Sequence, residues 1–209
     1  MKRVSALYEQ QRQAGAAACV IGVDEVGRGS VAGPLTVGAV ALPLEPLILG
    51  LDDSKRLSSS RREELAQQIH ETALAVGISH IEPAVIDDIG MAASLRTAMT
   101  QAIEACQLEP DLVLIDGNPM RVHHKERCVV KGDSTIACIA AASIIAKVCR
   151  DALMVEADAV FPGYGLASNK GYASEEHIQA IREQGLTSLH RATFCRRFLQ
   201  QQLFSGNTD

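Results

Sequence analysis

Tryptophan is absent from this chain, and aromatic residues are scarce throughout, with three tyrosines and four phenylalanines among 209 residues. That leaves little material for an enclosed pocket around a flat ring system. Cysteine occurs six times, at Cys19, Cys106, Cys128, Cys138, Cys149 and Cys195, but never as a C-x-x-C pair. Several of these lie in apolar runs and read as reduced, buried, small side chains of a cytoplasmic protein. There is no Gly-Lys-Ser/Thr triplet, so a Walker-type phosphate loop is not supported. No uncharged run approaches the length that spans a bilayer. After Lys2 and Arg3, the polar residues Ser5, Glu9, Gln10, Gln11 and Arg12 stand where a signal peptide needs an apolar core. Positive charge is not in excess either: 20 Lys and Arg against 25 Asp and Glu give a formal charge of −5. That balance argues against a polyanion binder held by bulk electrostatics.

What is present is a chain that is 47% apolar, enough to bury one substantial core, and it reads as a single domain over residues 1–209. Its most informative stretch runs from Cys19 to Pro34. Val20 to Val23 is the apolar, β-branched run of a buried strand, yet it leads straight into two adjacent carboxylates, Asp24 and Glu25. Carboxylates at the end of a buried strand repel one another and lose hydration, so they persist where something cationic, usually a metal, sits between them. Gly27-Arg28-Gly29 follows, in which glycine lets backbone approach a ligand and arginine reaches a phosphate or carboxylate. Gly27-x-Gly29-x-x-Ala32 also fits the loose dinucleotide fingerprint, but Gly33-Pro34 interrupts the helix that motif needs. A tight hairpin with solvent-facing acidic residues is the plainer alternative.

Along the chain, residues up to about 18 read as a short helix or arm, and a second strand is expected from Leu35 to Leu42, antiparallel to the first. Pro43 and Pro46 open a connector that ends at Asp52-Asp53-Ser54-Lys55. Ser60 and Glu63 have capping-box spacing, and Leu65, Ile69, Ala73 and Val76 recur behind them with helical period. A strand near Ile78 to Ile81 precedes a helical region opened by Pro83, with Met91, Leu95, Met99, Ala102 and Cys106 on one face. Leu112 to Ile115 is a short apolar strand that ends, like the first, in a carboxylate, Asp116. Parallel neighbours with this ending bring Asp116 beside Asp24 at the carboxyl edge of a sheet. An Asp-Gly turn would account for Asp116 alone.

His123 and His124, in a charged loop, read as surface residues rather than zinc ligands. Asp133 precedes a long small-residue helix, Ile136 to about Val160, and reads equally well as an N-cap or as a further site carboxylate. Lys147 and Asp151 stand four apart on that helix, as an ion pair would. Ala140-Ala141-Ala142 offers a flat surface for packing on a sheet. Phe161 to Tyr172 is a glycine-containing loop carrying Tyr164, Lys170 and Tyr172, and aromatics beside a lysine suit stacking on a sugar or base plus a phosphate contact. Ser174 begins a further helix that stops near Gly185.

The Asp-Glu pair followed by Gly27-Arg28-Gly29 and Ala32-Gly33-Pro34 resembles the signature of the type 2 ribonucleases H. Asp53-Ser54-Lys55-Arg56-Leu57-Ser58, Ile115-Asp116-Gly117, Lys131-Gly132-Asp133, Ala140 to Asp151 and Lys170-Gly171-Tyr172 occur in that family's order, so the resemblance covers nearly the whole chain. It implies a ribonuclease H-like α/β fold, a mixed sheet of about five strands flanked by helices, with a catalytic core at about 19–160 and a helical C-terminal part at about 161–209. It further implies Asp24, Glu25 and Asp116 as catalytic ligands of Mn²⁺ or Mg²⁺. Asp133 becomes the fourth active-site carboxylate, with Asp151 as its rival. Gly27, Arg28, Gly29, Lys55, Lys170 and Tyr172 become substrate contacts. By the same resemblance the Gly-Arg-Gly backbone reads a 2′-hydroxyl and Tyr172 checks the deoxyribose that follows. Cleavage would then fall 5′ of a ribonucleotide, in RNA–DNA hybrids or singly embedded in duplex DNA, leaving 3′-hydroxyl and 5′-phosphate ends. Two departures stand out: Asn169 replaces the histidine usual before that lysine, and Thr193 replaces serine in His190-Arg191-Ala192-Thr193-Phe194.

Independently of resemblance, a site of carboxylates without histidine or thiol suits hard divalent ions. Basic residues recur near the loops, at Lys55, Arg56, Arg61, Arg62, Arg121, Lys125, Arg127, Lys131 and Lys170. Two other functions fit parts of the pattern: a hybrid-binding module without cleavage, and a metal-dependent phosphohydrolase of a small nucleotide. The terminal segment Gln200 to Phe204 resembles the peptide by which bacterial repair enzymes bind the sliding clamp, and a frayed amphipathic helix is its alternative. The chain is otherwise read as a monomer without membrane association.

Overall fold

The computed structural model describes residues 2–15 and 19–204, without the side chains of residues 2 and 200–204. Helix α1 spans Lys2–Ala14, and strands β1 (Val20–Val26) and β2 (Leu35–Ala41) follow. Then come α2 (Ser59–Thr72), β3 (Ala75–Ile81), α3 (Pro83–Ile89), α4 (Met91–Ala105), β4 (Leu112–Asp116) and β5 (Glu126–Val129). The chain finishes with α5 (Ala137–Val160), α6 (Leu166–Asn169), α7 (Glu175–Gln184) and α8 (Ala192–Phe204). The five strands form one mixed sheet in the order β3-β2-β1-β4-β5, with β1 antiparallel to β2 and parallel to β4, and β4 parallel to β5.

The chain divides into two compact units. The first runs through Val26 and takes in residues 36–80 and 95–149; the second gathers 27–35, 81–94 and the chain from Arg150 on. In the first unit β1 sits at the centre of the sheet, and Val20 to Asp24 are buried on both faces, as a strand covered on each side must be. The first half of α5 lies on this sheet with almost no separation. A Cβ on Gly22 would come within 2.3 Å of the Cys138 carbonyl carbon, and one on Gly38 within 2.5 Å of the Ala142 oxygen. Only glycine fits where two backbones meet in this way. Ala140, Ala141 and Ala142 are fully buried, so the small-residue surface does pack as the sequence suggests.

Two local expectations shift. The cap of α2 is Ser58 rather than Ser60: its hydroxyl accepts from the Arg61 N–H at 3.3 Å, while the Ser59 hydroxyl donates to Glu63. Three consecutive serines compete for the position, and the first one adopts the extended backbone a cap needs. That helix also stops at Thr72, so Val76 belongs to β3 and not to the helical stripe. The break follows Ala73, whose ψ of 144° leaves the helical region.

In the second unit, α7 is capped by Ser174 and terminated at Gly185, as expected. A separate apolar core forms around Met154, Tyr164, Leu166, Ile181, Cys195 and Phe198. Among the described residues no helix is long and apolar enough to cross a membrane.

Candidate active site

The parallel pairing of β1 with β4 aligns Val23 with Ile115, so the next residues along, Asp24 and Asp116, follow the last paired positions at the same edge, with β1 running on to Val26 beside β2. Asp24 is 5% exposed. Alternation along β1 sets it on the same face as Gly22, the face covered by α5. From α5, Ser143 hydrogen-bonds to the Asp24 carboxylate and, at 2.9 Å, to the Ser54 hydroxyl. The close approach allowed by Gly22 and Gly38 is therefore what brings a helix side chain to this carboxylate. Burial drives the Asp24 carboxyl well above the usual aspartate range, the charges of Glu25 and Asp116 push the same way, and the Ser143 hydrogen bond opposes them.

Asp116 accepts the Gly132 N–H at 2.7 Å and a second backbone N–H from Asp133, which ties the end of β4 to the Lys131-Gly132-Asp133 turn. Burial raises its carboxyl, the Gly132 N–H holds it down, and the Asp133 charge raises it again. Asp133 does not cap α5. It lies in a short 3-10 turn, Gly132–Ser134, is 6% exposed, and takes the Lys55 ammonium at 3.2 Å. Lys55 is placed by its own turn, Ser54–Arg56, where the Asp53 carboxylate accepts the Lys55 N–H at 2.9 Å. The 53–56 segment thus meets the site twice, through Ser54 and through Lys55. Glu25 stands on the other side of the β1 pleat from Asp24 and is half-buried. Among the described residues, no three His, Cys, Asp or Glu side chains are gathered into a ready-made metal cluster. The donor set is nonetheless all oxygen, and burial of Asp24 with partial burial of Asp116 leaves negative charge short of compensation, which is the environment a hard divalent ion fits.

The other sequence-predicted residues lie in the second unit. Gly27 has φ +84° and opens a loop closed by Ser30, whose hydroxyl donates to the Gly27 carbonyl at 2.9 Å. Arg28 and Gly29 are exposed, and nothing lies within 4 Å of where a Gly29 Cβ would be. Val31 and Ala32 donate their N–H groups to the Gly171 carbonyl at 2.8 and 3.1 Å, which joins this loop to Lys170-Gly171-Tyr172. Lys170 sits in the left-handed region, and its ammonium folds back onto the Ala167 carbonyl. Tyr172 is 39% exposed. Asn169 pins the turn, donating to the Tyr164 carbonyl and accepting from the Gly171 N–H, both at 2.7 Å.

Sequence reading missed Ser143, Arg150 and Arg191 as parts of these sites. Arg150 and Arg191 are completely buried. For Arg150 a signal existed: Ala146, Arg150 and Met154 follow one another at four-residue spacing on α5, so the arginine falls on a buried stripe. Ser143 lay inside a motif already recognised, but nothing local marks it as facing Asp24.

Carboxylates at the ends of adjacent parallel strands in a mixed five-stranded sheet, joined to a fourth on the following turn, define a carboxylate-centred nuclease domain of the ribonuclease H type. The sequence model of the family described as Ribonuclease HII matches residues 21–198, and the chain belongs to that family. It is similar to the ribonuclease HII of Moorella thermoacetica, 48% identical over 196 residues, which covers 92% of this chain and 95% of that protein. Among solved structures it resembles that of the PCNA:RNase HII complex from Archaeoglobus fulgidus, with 28% identity, a TM-score of 0.71, and coverage of 82% of this chain and 91% of that one. It also shares its fold with Bst-RNase HIII solved in complex with Mn²⁺, at 22% identity and a TM-score of 0.69, over 94% of this chain and 73% of that one.

Proposed function

We infer that this chain is a ribonuclease H: an endonuclease that hydrolyses the RNA strand of RNA–DNA hybrids and nicks 5′ of single ribonucleotides in duplex DNA. The observation that carries this reading is the parallel β1–β4 pair, which ends in Asp24 and Asp116. Asp24, Glu25 and Asp116 are the residues that would hold Mn²⁺ or Mg²⁺, with Asp133 as the fourth carboxylate. When bound, such an ion supplies Lewis-acid charge and an activated water for attack on a phosphodiester. Ser143 orients the Asp24 carboxylate, and Lys55 neutralises Asp133 and offers a positive charge to a phosphate. In the second unit, the backbone of Gly27-Arg28-Gly29, exposed at Arg28 and Gly29, reads the 2′-hydroxyl that distinguishes RNA from DNA. Tyr172, with an exposed ring, checks the next sugar, and Lys170 contacts the backbone. The product ends are 3′-hydroxyl and 5′-phosphate.

The family match runs across both units, which supports reading residues 1–209 as one functional domain. Six free cysteines, three of them buried, favour a reducing compartment, the cytoplasm. We also propose a sliding-clamp contact through Gln200 to Phe204. The side chains of that segment lie outside the described residues, and the support is its sequence together with the archaeal relative seen with PCNA.

The test is a labelled DNA duplex carrying one ribonucleotide, with an all-DNA control, incubated with wild type and Asp116→Asn in Mg²⁺ or Mn²⁺. A single cut immediately 5′ of the ribonucleotide, lost in EDTA and in the variant, is the expected result. Binding of the duplex by wild type without any cut would replace this reading with that of a hybrid-binding module.

A further inference from the structure

Two guanidiniums without exposure lie beneath the Gly27–Pro34 loop, and each is spent on backbone carbonyls. Arg150 donates through Nε to the Pro34 carbonyl at 2.9 Å, through Nη2 to the Ala32 carbonyl at 3.0 Å and the Ser30 hydroxyl at 2.9 Å, and through Nη1 to the Lys170 carbonyl at 2.8 Å. Arg191 donates to the carbonyls of Arg28, Ser30 and Gly33. Among the described residues no carboxylate hydrogen-bonds to either. The carboxylates of Asp151 and Asp87 act on Arg150 and Arg191 only through their charge, and burial still lowers both pKa values. Burying a cation without a carboxylate in direct contact is costly, and an apolar side chain of similar volume would serve stability as well or better. A requirement other than stability therefore accounts for Arg150 best.

That requirement is visible in what the guanidinium connects. Its planar fork spans both segments assigned to sugar recognition, the 27–34 loop and Lys170-Gly171-Tyr172, and its central carbon sits 5.6 Å from the centroid of the Tyr172 ring. The layers around it have no slack. A Cβ on Gly27 would fall 2.2 Å from Arg150 Nε, and one on Gly171 would fall 2.2 Å from the Ala32 carbonyl oxygen. Lysine cannot reproduce this connection, because a point ammonium has neither the reach nor the fixed directions of the fork.

We propose that Arg150 is a positioning residue: by locking the Gly27–Pro34 loop to the Lys170–Tyr172 segment it makes one rigid gauge of two sugar readers, and so sets the preference for a ribonucleotide followed by a deoxyribonucleotide. This rests on the functional reading above. Arg191 braces the same loop from the Arg28, Ser30 and Gly33 side and, among the described residues, makes no hydrogen bond to the Tyr172 segment, so its loss weakens the loop without cutting the hydrogen bonds that join the readers.

The test compares kcat/KM on duplex DNA containing one ribonucleotide with kcat/KM on a long RNA–DNA hybrid, for wild type, Arg150→Lys and Ser30→Ala. Arg150→Lys is expected to lower the ratio of single-ribonucleotide to hybrid cleavage by about tenfold, the scale of a lost charge-assisted hydrogen bond. Mn²⁺ affinity measured by calorimetry should stay as in wild type. Ser30→Ala, which removes one hydroxyl link at little cost to packing, should shift the ratio the same way by about threefold, and it decides the matter if Arg150→Lys does not fold. In a Tyr172→Ala background the Arg150→Lys change should alter the ratio by less than about twofold, because the effects of coupled residues do not add. An equal fall on both substrates, or full additivity with Tyr172→Ala, would overturn the proposal and leave Arg150 as a support of the fold. Failure of wild type to cut the single-ribonucleotide duplex at all is a different result, and it would sink the functional reading along with the gauge.

Discussion

The ammonium of Lys55 lies 3.2 Å from a carboxylate oxygen of Asp133 and 4.0 Å from one of Asp53. Burial alone would lower its pKa, but the Asp133 hydrogen bond and the charges of Asp133, Asp53 and Asp24 together raise it, so Lys55 is charged at every physiological pH. Its side chain is 77% exposed and Asp133's only 9%, so the pair places a solvated cation over a buried anion. An ion pair this open contributes at most about 1 kcal/mol to folding. On the role proposed for Lys55 above, Lys55→Met is therefore expected to leave the thermal midpoint nearly unchanged while lowering the cleavage rate by about 100-fold, as removal of one stabilising group from a reacting centre does. Equal losses of stability and rate would mean that the lysine serves the turn and not the reaction.

Asp24 supplies a second prediction, about pH. A carboxyl whose folded pKa is raised binds its proton more tightly in the native than in the unfolded state, so it favours folding at low pH and opposes it once ionised. In EDTA, wild type should lose stability as pH rises from about 4, the unfolded aspartate value, through the raised native one. Asp24→Asn removes Asp24's part of that slope and leaves the smaller part from Asp116. Chemical denaturation across pH 4 to 8 should show the variant gaining on wild type with rising pH, while its cleavage rate falls about a thousandfold or more with the loss of the position proposed above to hold the ion. Parallel pH profiles would show that Asp24 is not strained in the native state.

The strand-end logic behind Asp24 and Asp116 was legible because a buried apolar run carries its own signal, and two such runs with the same acidic ending imply parallel neighbours. Asp133 was undecided from its residues alone, since an aspartate three residues before a helix also fits a cap. What decides its placement is the 3-10 turn and Lys55, a partner 78 residues away. Ser143 was hidden for the same reason: its meaning lies in backbone brought close by Gly22 and Gly38, and no local pattern announces which strand a helix will cover, whereas Arg150 betrays its burial by its place on an apolar stripe but not the carbonyls it meets. The Ser58 cap illustrates the opposite limit, in which three equivalent local signals compete and one backbone angle chooses.

The glycines at the α5 interface should tolerate no side chain. A methyl on Gly22 meets main-chain atoms of Cys138 and Ile139 at 2.3 to 2.5 Å, and one on Gly38 meets the Ala142 oxygen at 2.5 Å, so relief requires moving a helix and not a rotamer. Overpacking commonly costs about 1–3 kcal/mol, and contact between backbones puts Gly22→Ala and Gly38→Ala at or above the upper end. Because Gly38 pairs directly with Asp24, displacement of α5 there also withdraws Ser143 from the carboxylate. Gly38→Ala should thus lower Mn²⁺ affinity, read by calorimetry at a temperature where the variant is folded. Gly77→Ala, whose clash is with the Ala102 oxygen on α4, should destabilise without that effect.

A buried histidine pair connects the Tyr172 segment to acid sensitivity. The Thr187 N–H donates to His190 Nδ1 at 3.0 Å, so the neutral ring carries its proton on Nε2 and donates it to His177 Nε2 at 3.1 Å. His177 is then protonated on Nδ1 and donates to the Tyr172 carbonyl at 2.9 Å. A second proton on either ring would set two N–H groups against each other in a buried space. Burial and the facing His177 accordingly push His190 down to about 4, and burial lowers His177. For a histidine lowered in this way the stabilisation is complete above the unfolded value near 6.5 and disappears as pH falls toward 4. Wild type should lose about 3 kcal/mol across that interval from His190. His190→Phe, which strands the His177 acceptor, should be less stable than wild type at pH 7 by about 1–3 kcal/mol. The difference between the two proteins should shrink as pH drops from about 6.5 to 4, since the variant no longer has that proton to take up. Denaturation curves that stay a constant distance apart over this range would show that the pair is not held neutral.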